Sequence, residues 1–222
     1  MIQNQKGNVI WFILLAVALL GFLTAVISRG TSSVEQSGNI ERASIQISQT
    51  MQYAKSIQSA IEYLTLTNGC SENEISFENT SVSGYENIDA PTDKGCHIFD
   101  PAGGAVTWKD TDSNNKIFFI SKQAKIDQSP SSSNDDVLLI LRDVSATYCL
   151  QLNKTYQKWT ETPSWDAGTG YLWSKADGSY GTAGVSLSLP RPGTAWKKNV
   201  KTACFYNTQL DEYDAYHVLI LR

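Results

Sequence analysis

The histidine and carboxylate side chains are the first candidates for chemistry in this chain of 222 residues. It has only two histidines. His97 directly follows a cysteine and His217 stands in the apolar stretch YHVLILR, so we interpret both as structural. No G-x-S-x-G, H-E-x-x-H or phosphate-binding-loop pattern occurs, and the carboxylates show no spacing that singles out an acid–base pair. The sequence therefore predicts neither an enzyme nor a bound cofactor.

One acidic stretch, DTDSNNK at 110–116, comes closest to a metal site. Alternate positions carry oxygen ligands, as in the first half of a calcium loop: Asp110, Asp112 and Asn114. A complete loop has glycine at its sixth position and glutamate at its twelfth. These positions are Asn115 and Ser121 here, so we interpret the stretch as a polar hairpin turn and predict no metal site, with calcium as the alternative.

The cysteines predict disulfide bonds rather than metal ligands. There are four of them, at Cys70, Cys96, Cys149 and Cys204, and none belongs to a C-x-x-C pair, which weakens zinc and thioredoxin-like interpretations. An even number beyond an export segment favours two disulfides in an oxidising compartment, with free buried thiols as the alternative. Of the three possible pairings we favour Cys70–Cys96 and Cys149–Cys204, because each closes one segment of chain without crossing the other.

The charge balance argues against nucleic-acid binding. The formal net charge is −4, the isoelectric point is near 5.2, and no basic stretch resembles a patch that follows phosphates. Charged residues make up only 18% of the chain, while uncharged polar residues are plentiful. That composition fits a surface outside the cytoplasm.

Near the N-terminus the chain contains an uncharged apolar run of 19 residues, from Val9 to Ile27. As a helix it would be just under ~30 Å long, which matches the hydrocarbon core of a bilayer. It is longer than the apolar part of most cleaved signals, and TAVISRG offers only a weak cleavage site. Lys6 precedes the run, and Glu35 and Glu41 follow it. We therefore predict a transmembrane helix with its N-terminus in the cytoplasm.

The next segment predicts an amphipathic helix that ends at Asn68-Gly69. Its apolar residues recur every three or four positions: Ile40, Ala43, Ile47, Met51, Ala54, Ile57, Ile61 and Leu64. Together the two helices would make a rod on the order of 90 Å long. The intervening SRGTSSVEQSGN contains Gly30 and Gly38, and each glycine weakens a helix by about 1 kcal/mol, so we predict a bend or local melting there.

From Cys70 onward the pattern predicts a β-rich domain, because short apolar runs alternate with Gly, Pro, Asn, Asp and Ser. The candidate strands are GAVTW at 104–108, KIFFIS at 116–121, DVLLILR at 136–142 and YHVLILR at 216–222. The last two are apolar on both faces and should be central strands. The stretch DVSATYCLQLNKTY, with apolar residues at intervals of four, predicts a short helix that carries Cys149, with a strand as the alternative.

The irregular segment 157–199 is rich in aromatic residues: Trp159, Trp165, Tyr171, Trp173, Tyr180 and Trp196. Long irregular stretches are often functional, and exposed tryptophans could stack on sugars, aromatic polymers or another subunit. Our first interpretation is that most of these rings fill a core that is rich in loops. The polar stretch between Cys70 and Cys96 should form a surface flap.

The N-terminal third of the chain resembles a type IV pilin-like protein, the group that includes the pseudopilins of type II secretion. The resemblance rests on the short polar leader MIQNQKG, on the uncut apolar run and on its amphipathic continuation, and it covers residues 1–67. It implies that a prepilin peptidase cuts between Gly7 and Asn8, and that the apolar helix later forms the core of a helical filament. The family usually has glutamate at the fifth mature position, which is Phe12 here, and this departure favours a minor subunit.

The predicted fold is α+β, with a long N-terminal helix, half membrane-inserted and half amphipathic, packed on an antiparallel β-rich domain. Its parts are a leader at 1–7, the helix at 8–67 and a disulfide-braced periplasmic or extracellular domain at 68–222. The resemblance implies a subunit of a type IV pilus or a type II secretion pseudopilus. Its partners would be the inner membrane, prepilin peptidase and other pilin-like subunits. The alternative is a periplasmic binding module on a fixed single-pass anchor, directed to carbohydrates through its aromatic-rich segment.

Overall fold

The computed structural model of the protein describes residues 8–112, 116, 118–125, 136–165, 185–186, 200–208 and 210–221. Two helices and six strands are present, and the fold is α+β. Their bounds are α1 Asn8–Thr67, β1 Phe118–Lys125, β2 Asp136–Val144, α2 Ala146–Gln157, β3 Ser164–Trp165, β4 Val185–Ser186, β5 Thr202–Asn207 and β6 Glu212–Ile220. The chain forms two compact units, Met1–Arg42 and Ala43–Arg222.

The six strands form one sheet in the order β3-β5-β6-β2-β1-β4. The four middle strands are antiparallel neighbours, and the two-residue strands β3 and β4 add a parallel pair at each edge. The predicted central positions of 136–142 and of the C-terminal strand are confirmed in β2 and β6. Val137 to Leu141 are all buried, so both faces of β2 are covered, as its unbroken apolar run requires.

One face of α1 belongs to the core of the second unit. The buried residues on it recur at the predicted spacing: Ala43, Ile47, Met51, Ala54, Ile57, Ile61 and Leu64. They share a cluster with strand residues such as Leu139 and Ile220, and the Gln58 side chain donates to the Val218 carbonyl at 2.9 Å. Ile40, which the sequence placed in the same stripe, is exposed instead.

The predicted end of α1 is confirmed. The backbone N–H groups of Asn68 and Cys70 both donate to the Leu64 carbonyl, at 3.1 and 3.2 Å. Gly69 between them has a φ of +71°, a left-handed conformation that costs glycine little. The local melting expected around Gly30 and Gly38 is not observed, because α1 is continuous through both positions. A cost of about 1 kcal/mol per glycine weakens a helix without necessarily breaking it.

The strand predicted at 104–108 is wrong, because this segment makes a tight turn and then an irregular stretch. Gly104 N–H donates to the His97 carbonyl at 2.8 Å, and Ala105 has a φ of +51°. A side chain at Gly103 would place its Cβ 2.2 Å from the His97 carbonyl oxygen. The apolar alternation of GAVTW indicated a strand, but the glycine pair bends the chain back on residues 97–100.

The predicted short helix that carries Cys149 is confirmed as α2. Ser145 caps it, since its hydroxyl accepts the Tyr148 N–H at 3.1 Å. Lys158 ends it in a left-handed conformation, with φ at +58°. Helix α2 follows β2 along the chain. Its buried face, which includes Cys149, is turned to β5.

Candidate functional site

The most unusual surface of the described chain lies on the N-terminal part of α1. Eleven large apolar side chains there are 47–72% exposed: Ile10, Trp11, Phe12, Ile13, Leu14, Leu15, Val17, Leu19, Leu20, Phe22 and Leu23. We call this set the apolar helix surface. Successive helix positions turn by about 100°, so these residues cover every side of the helix. A helix that is apolar all round is normally covered by other apolar groups, from lipid or from protein.

The predicted processing site sits at the edge of the described chain. Gly7 lies outside the described residues, and Asn8 is the first residue of α1. Phe12, at the predicted fifth mature position, is 69% exposed. Among the described residues, no helix meets the combined length and hydropathy expected of a membrane span. Cleavage after Gly7 and the transmembrane helix both stay predictions.

The predicted disulfide pairing is confirmed. Cys70 is bonded to Cys96, with their Cα atoms 5.8 Å apart, and Cys149 to Cys204, with 5.1 Å between the Cα atoms. No cysteine is free. The first bond joins the end of α1 to the segment before His97, and the second joins α2 to β5.

The two histidines lie in separate settings, with His97 buried and His217 half-buried. Nδ1 of His97 is 3.3 Å from the Glu78 carboxylate. Nδ1 of His217 is 2.6 Å from the Thr202 hydroxyl, on the neighbouring strand β5. Burial, reinforced by Lys201 and Lys55, lowers the pKa of His217 to about 4. His217 is therefore neutral at ordinary pH and is held as part of the sheet.

The described residues of the acidic stretch at 110–116 form a turn. The Asp110 carbonyl accepts the Phe118 N–H at 2.8 Å, and the Asp112 carboxylate accepts the Lys116 N–H at 2.9 Å. Asn114, the third predicted calcium ligand, lies outside the described residues. Within the described ranges, no group of three or more His, Cys, Asp or Glu side chains is placed to hold a metal ion.

A groove of 810 Å³ runs between α1 and the irregular segment after Gly104. Gln46, Gln49 and Tyr53 line it from the helix, and Lys109 lines it from the opposite side. The Tyr53 hydroxyl accepts the Lys109 N–H at 3.0 Å, and the Lys109 ammonium lies 5.2 Å from the centre of the Tyr53 ring. Burial raises the pKa of Tyr53 to about 12, while the Lys109 hydrogen bond opposes the rise. These contacts close the base of the groove.

A second cavity, of 410 Å³, lies beside the Cys70–Cys96 disulfide; we call it the loop cavity. The residues that give it its chemistry are Glu78, Lys94, His97, Phe99, Asp100 and Trp108. Phe99 and Trp108 pack edge to face with ring centres 4.9 Å apart. The Lys94 ammonium and the Asp100 carboxylate are 3.7 Å apart. Carboxylates, an ammonium and aromatic rings therefore surround one small space.

Sequence reasoning did not find the loop cavity. Its walls come from residues 78–81, 94–101 and 105–108, which are separated along the chain and carry no spacing motif. The stretch between Cys70 and Cys96 was interpreted only as a surface flap, and Trp108 was placed in a strand. The one local signal that could have indicated part of it is the Gly103-Gly104 pair, where the chain turns back on residues 97–100.

The aromatic-rich segment is only partly described. Trp159 is buried, as the core interpretation expects. Trp165 ends the short strand β3, while Tyr171, Trp173, Tyr180 and Trp196 lie outside the described residues. A ligand site formed by these rings stays a prediction.

The described chain thus offers two candidate sites of different kinds. The apolar helix surface can associate with lipid or with other apolar helices, and the loop cavity can hydrogen-bond a small polar ligand against aromatic rings. Both rest on the geometry of this chain alone, because comparisons with protein-family models, with curated proteins and with solved structures found no match.

Proposed function

We propose that this chain is a non-enzymatic, pilin-like structural subunit that assembles into a type IV pilus or a type II secretion pseudopilus. The precursor sits in the bacterial inner membrane, with its N-terminus in the cytoplasm and its disulfide-braced domain in the periplasm. Prepilin peptidase removes residues 1–7, and Asn8 becomes the first mature residue. The retained helix then packs with the helices of other pilin-like subunits. Phe12 in place of the usual glutamate makes a minor subunit the favoured form.

The observation that carries this proposal is the apolar helix surface. Burial of apolar surface is favourable by roughly 25 cal/mol per Å², so such a helix is stable only where lipid or protein covers it. A precursor in the bilayer and a subunit in a filament both meet that need. The same helix can therefore be hidden first in lipid and later among other subunits.

The second unit supports the proposal through its chemistry. Its two disulfides suit an oxidising compartment outside the cytoplasm. The buried residues between 43 and 64 of α1 belong to the same hydrophobic cluster as strand residues, which supports a helix that serves the domain. Because only one half of this helix packs in the folded domain, the other half is available for assembly.

Mass spectrometry of the mature N-terminus tests the proposal. We expect the wild-type protein, made in cells that contain prepilin peptidase, to begin at Asn8. Gly7→Val should retain Met1, because the peptidase needs a small residue at the cut. Gly21→Val is the matched control: a Cβ at Gly21 meets nothing within 4 Å, so cleavage should proceed.

An intact Met1 in the wild-type protein would contradict the processing step and favour the alternative, a binding module on a fixed anchor. A second measurement separates the two functions directly. Filaments sheared from cells should contain the wild-type chain and should lack Gly7→Val. A chain that is cleaved but never recovered with filaments would contradict the subunit role.

A further inference from the structure

We propose that the loop cavity binds a small neutral saccharide, independently of any assembly through the helix. Phe99 and Trp108 would supply the apolar wall, and the carboxylates of Glu78 and Asp100 would accept hydrogen bonds from hydroxyl groups. This site is separate from the aromatic-rich segment 157–199. It neither requires nor follows from a role in a filament.

The size of the cavity suits a small ligand. Ligand pockets occupy roughly 300–1,000 Å³, and the 410 Å³ measured here lies in the lower part of that range. Most of its lining residues are polar or charged, and Phe99 and Trp108 add an aromatic pair, so the cavity suits a ligand that combines hydrogen-bonding groups with an apolar face. The hydroxyl groups of Thr80, Ser81 and Thr107 add positions that can both donate and accept.

The walls are held in place by the fold. Ser76 and His97 form an isolated bridge, in which Ser76 N–H donates to the Cys96 carbonyl at 3.0 Å and Ile98 N–H donates to the Ser76 carbonyl at 2.9 Å. The Asn79 side chain accepts the N–H groups of the next turn, at Ser81 and Val82. A cavity with fixed walls loses little conformational entropy when a ligand binds.

Backbone strain coincides with the cavity. Lys94 and Ala105 both line it, and both have left-handed φ values, of +62° and +51°. Such conformations cost a residue other than glycine of order 1 kcal/mol or more, and they concentrate at functional sites. Glycine would relieve the strain at either position.

The charges select the class of ligand. The cavity is lined by two carboxylates, those of Glu78 and Asp100, and by one ammonium, that of Lys94, so an anionic ligand such as a phosphate ester would meet a net repulsion. A saccharide is uncharged, its hydroxyl groups donate to carboxylates, and the C–H faces of its ring pack against aromatic side chains. This combination matches the loop cavity better than a purely apolar ligand does.

Binding can be measured by NMR on the full chain, labelled with ¹⁵N at tryptophan and held in a phosphocholine detergent, since sugar-based detergents would compete. The probes are glucose, galactose, mannose and N-acetylglucosamine. The chain has six tryptophans, and Trp108→Phe identifies the indole signal of Trp108. We expect at least one sugar to shift that signal with saturation. Glu78→Gln should weaken binding about tenfold or more, because a charge-assisted hydrogen bond is lost.

Glu62→Gln makes the same change from carboxylate to carboxamide at an exposed position on α1. It is the matched control and should leave binding unchanged. If Glu78→Gln disturbs folding, Thr107→Val replaces it, since it removes one hydroxyl group and keeps the shape. The proposal is overturned if no sugar shifts the Trp108 signal, or if the shift is equal in both cavity variants and in the wild type. Tighter binding of inorganic phosphate than of any sugar would also overturn it.

Discussion

The side-chain amide of Asn153 pairs with both backbone polar groups of Cys204. Its Nδ2 donates to the Cys204 carbonyl at 2.8 Å, and its Oδ1 accepts the Cys204 N–H at 2.9 Å. The neighbouring strand β3 pairs only with Tyr206 and Asn207, so it does not reach this part of β5. Asn153 therefore takes the place of a strand at the sheet edge, next to the Cys149–Cys204 disulfide.

Replacing this amide should destabilise the domain. Asn153 is fully buried, and Asn153→Leu would leave a buried donor and a buried acceptor without partners. We expect the free energy of unfolding to fall by about 3 kcal/mol. Urea denaturation in detergent, followed by near-ultraviolet circular dichroism, measures the change. Lys154→Leu, on the exposed side of α2, should change it by less than about 0.5 kcal/mol; equal effects of the two variants would contradict the assigned role.

Two glycine-to-alanine substitutions should have opposite effects. A Cβ at Gly103 would lie 2.2 Å from the His97 carbonyl oxygen and 2.9 Å from that of Lys94. Both contacts are with backbone, so we expect Gly103→Ala to lower the free energy of unfolding by about 2 kcal/mol or more. Thermal unfolding of the second unit measures this effect, and an unchanged melting temperature would contradict the tight turn.

Gly38 provides the contrasting case within α1. A Cβ there would meet nothing within 4 Å. Alanine is favoured over glycine inside a helix by about 1 kcal/mol. We therefore expect Gly38→Ala to stabilise α1, seen as a larger helical signal in circular dichroism during heating. A loss of helix in this variant would contradict the continuous helix and restore the interruption that the sequence suggested.

The sequence predicted the elements whose signals are local. The apolar runs of β2 and β6, the helical spacing around Cys149 and the Asn68-Gly69 stop are each contained within a few residues, and the structure has all of them. The disulfide pairing followed from chain order alone. The strands, the helix and the helix stop needed no knowledge of a distant partner.

The remaining features depend on residues far apart in the chain. Whether 104–108 forms a strand depends on a neighbouring strand and on the bend at Gly103. The alternation of apolar residues in the segment indicates neither of these. The loop cavity is lined by three segments that are separated along the chain, and within it Glu78 lies 3.3 Å from Nδ1 of His97. Asn153 looks like any polar helix residue until its contact with β5 is known.

Acid should weaken the fold through His217. Burial, Lys201 and Lys55 lower its pKa from the ordinary value of 6.5 to about 4 in the folded chain. The unfolded chain therefore takes up a proton first, so stability is fully present above pH 6.5 and is lost as the pH falls towards 4. After allowance for partial exposure, we expect a loss on the order of 2 kcal/mol.

Urea denaturation at a series of pH values measures this dependence. His217→Gln should flatten the curve over the same interval, because glutamine does not titrate. Carboxylates also titrate near the lower end of this pH interval. The quantity to compare is therefore the difference in the free energy of unfolding between wild type and variant. The same series on His97→Gln, at the other histidine, shows whether the change in the curve is specific to His217. Parallel curves for wild type and His217→Gln would contradict the assignment.

A single charge in the apolar helix surface should separate its possible environments. Leu19 is exposed on α1, and Leu19→Lys would place an ammonium near the middle of the proposed membrane segment. Lysine there costs about 2.5–3.5 kcal/mol on insertion scales. We expect alkaline extraction to release more of the variant from membranes, and sheared filaments to lack it. Ser59→Lys, on an exposed part of α1 in the second unit, should behave as wild type. If Leu19→Lys stays in the membrane and enters filaments at the wild-type level, the helix is not buried among apolar groups, and the assembly proposal fails with it.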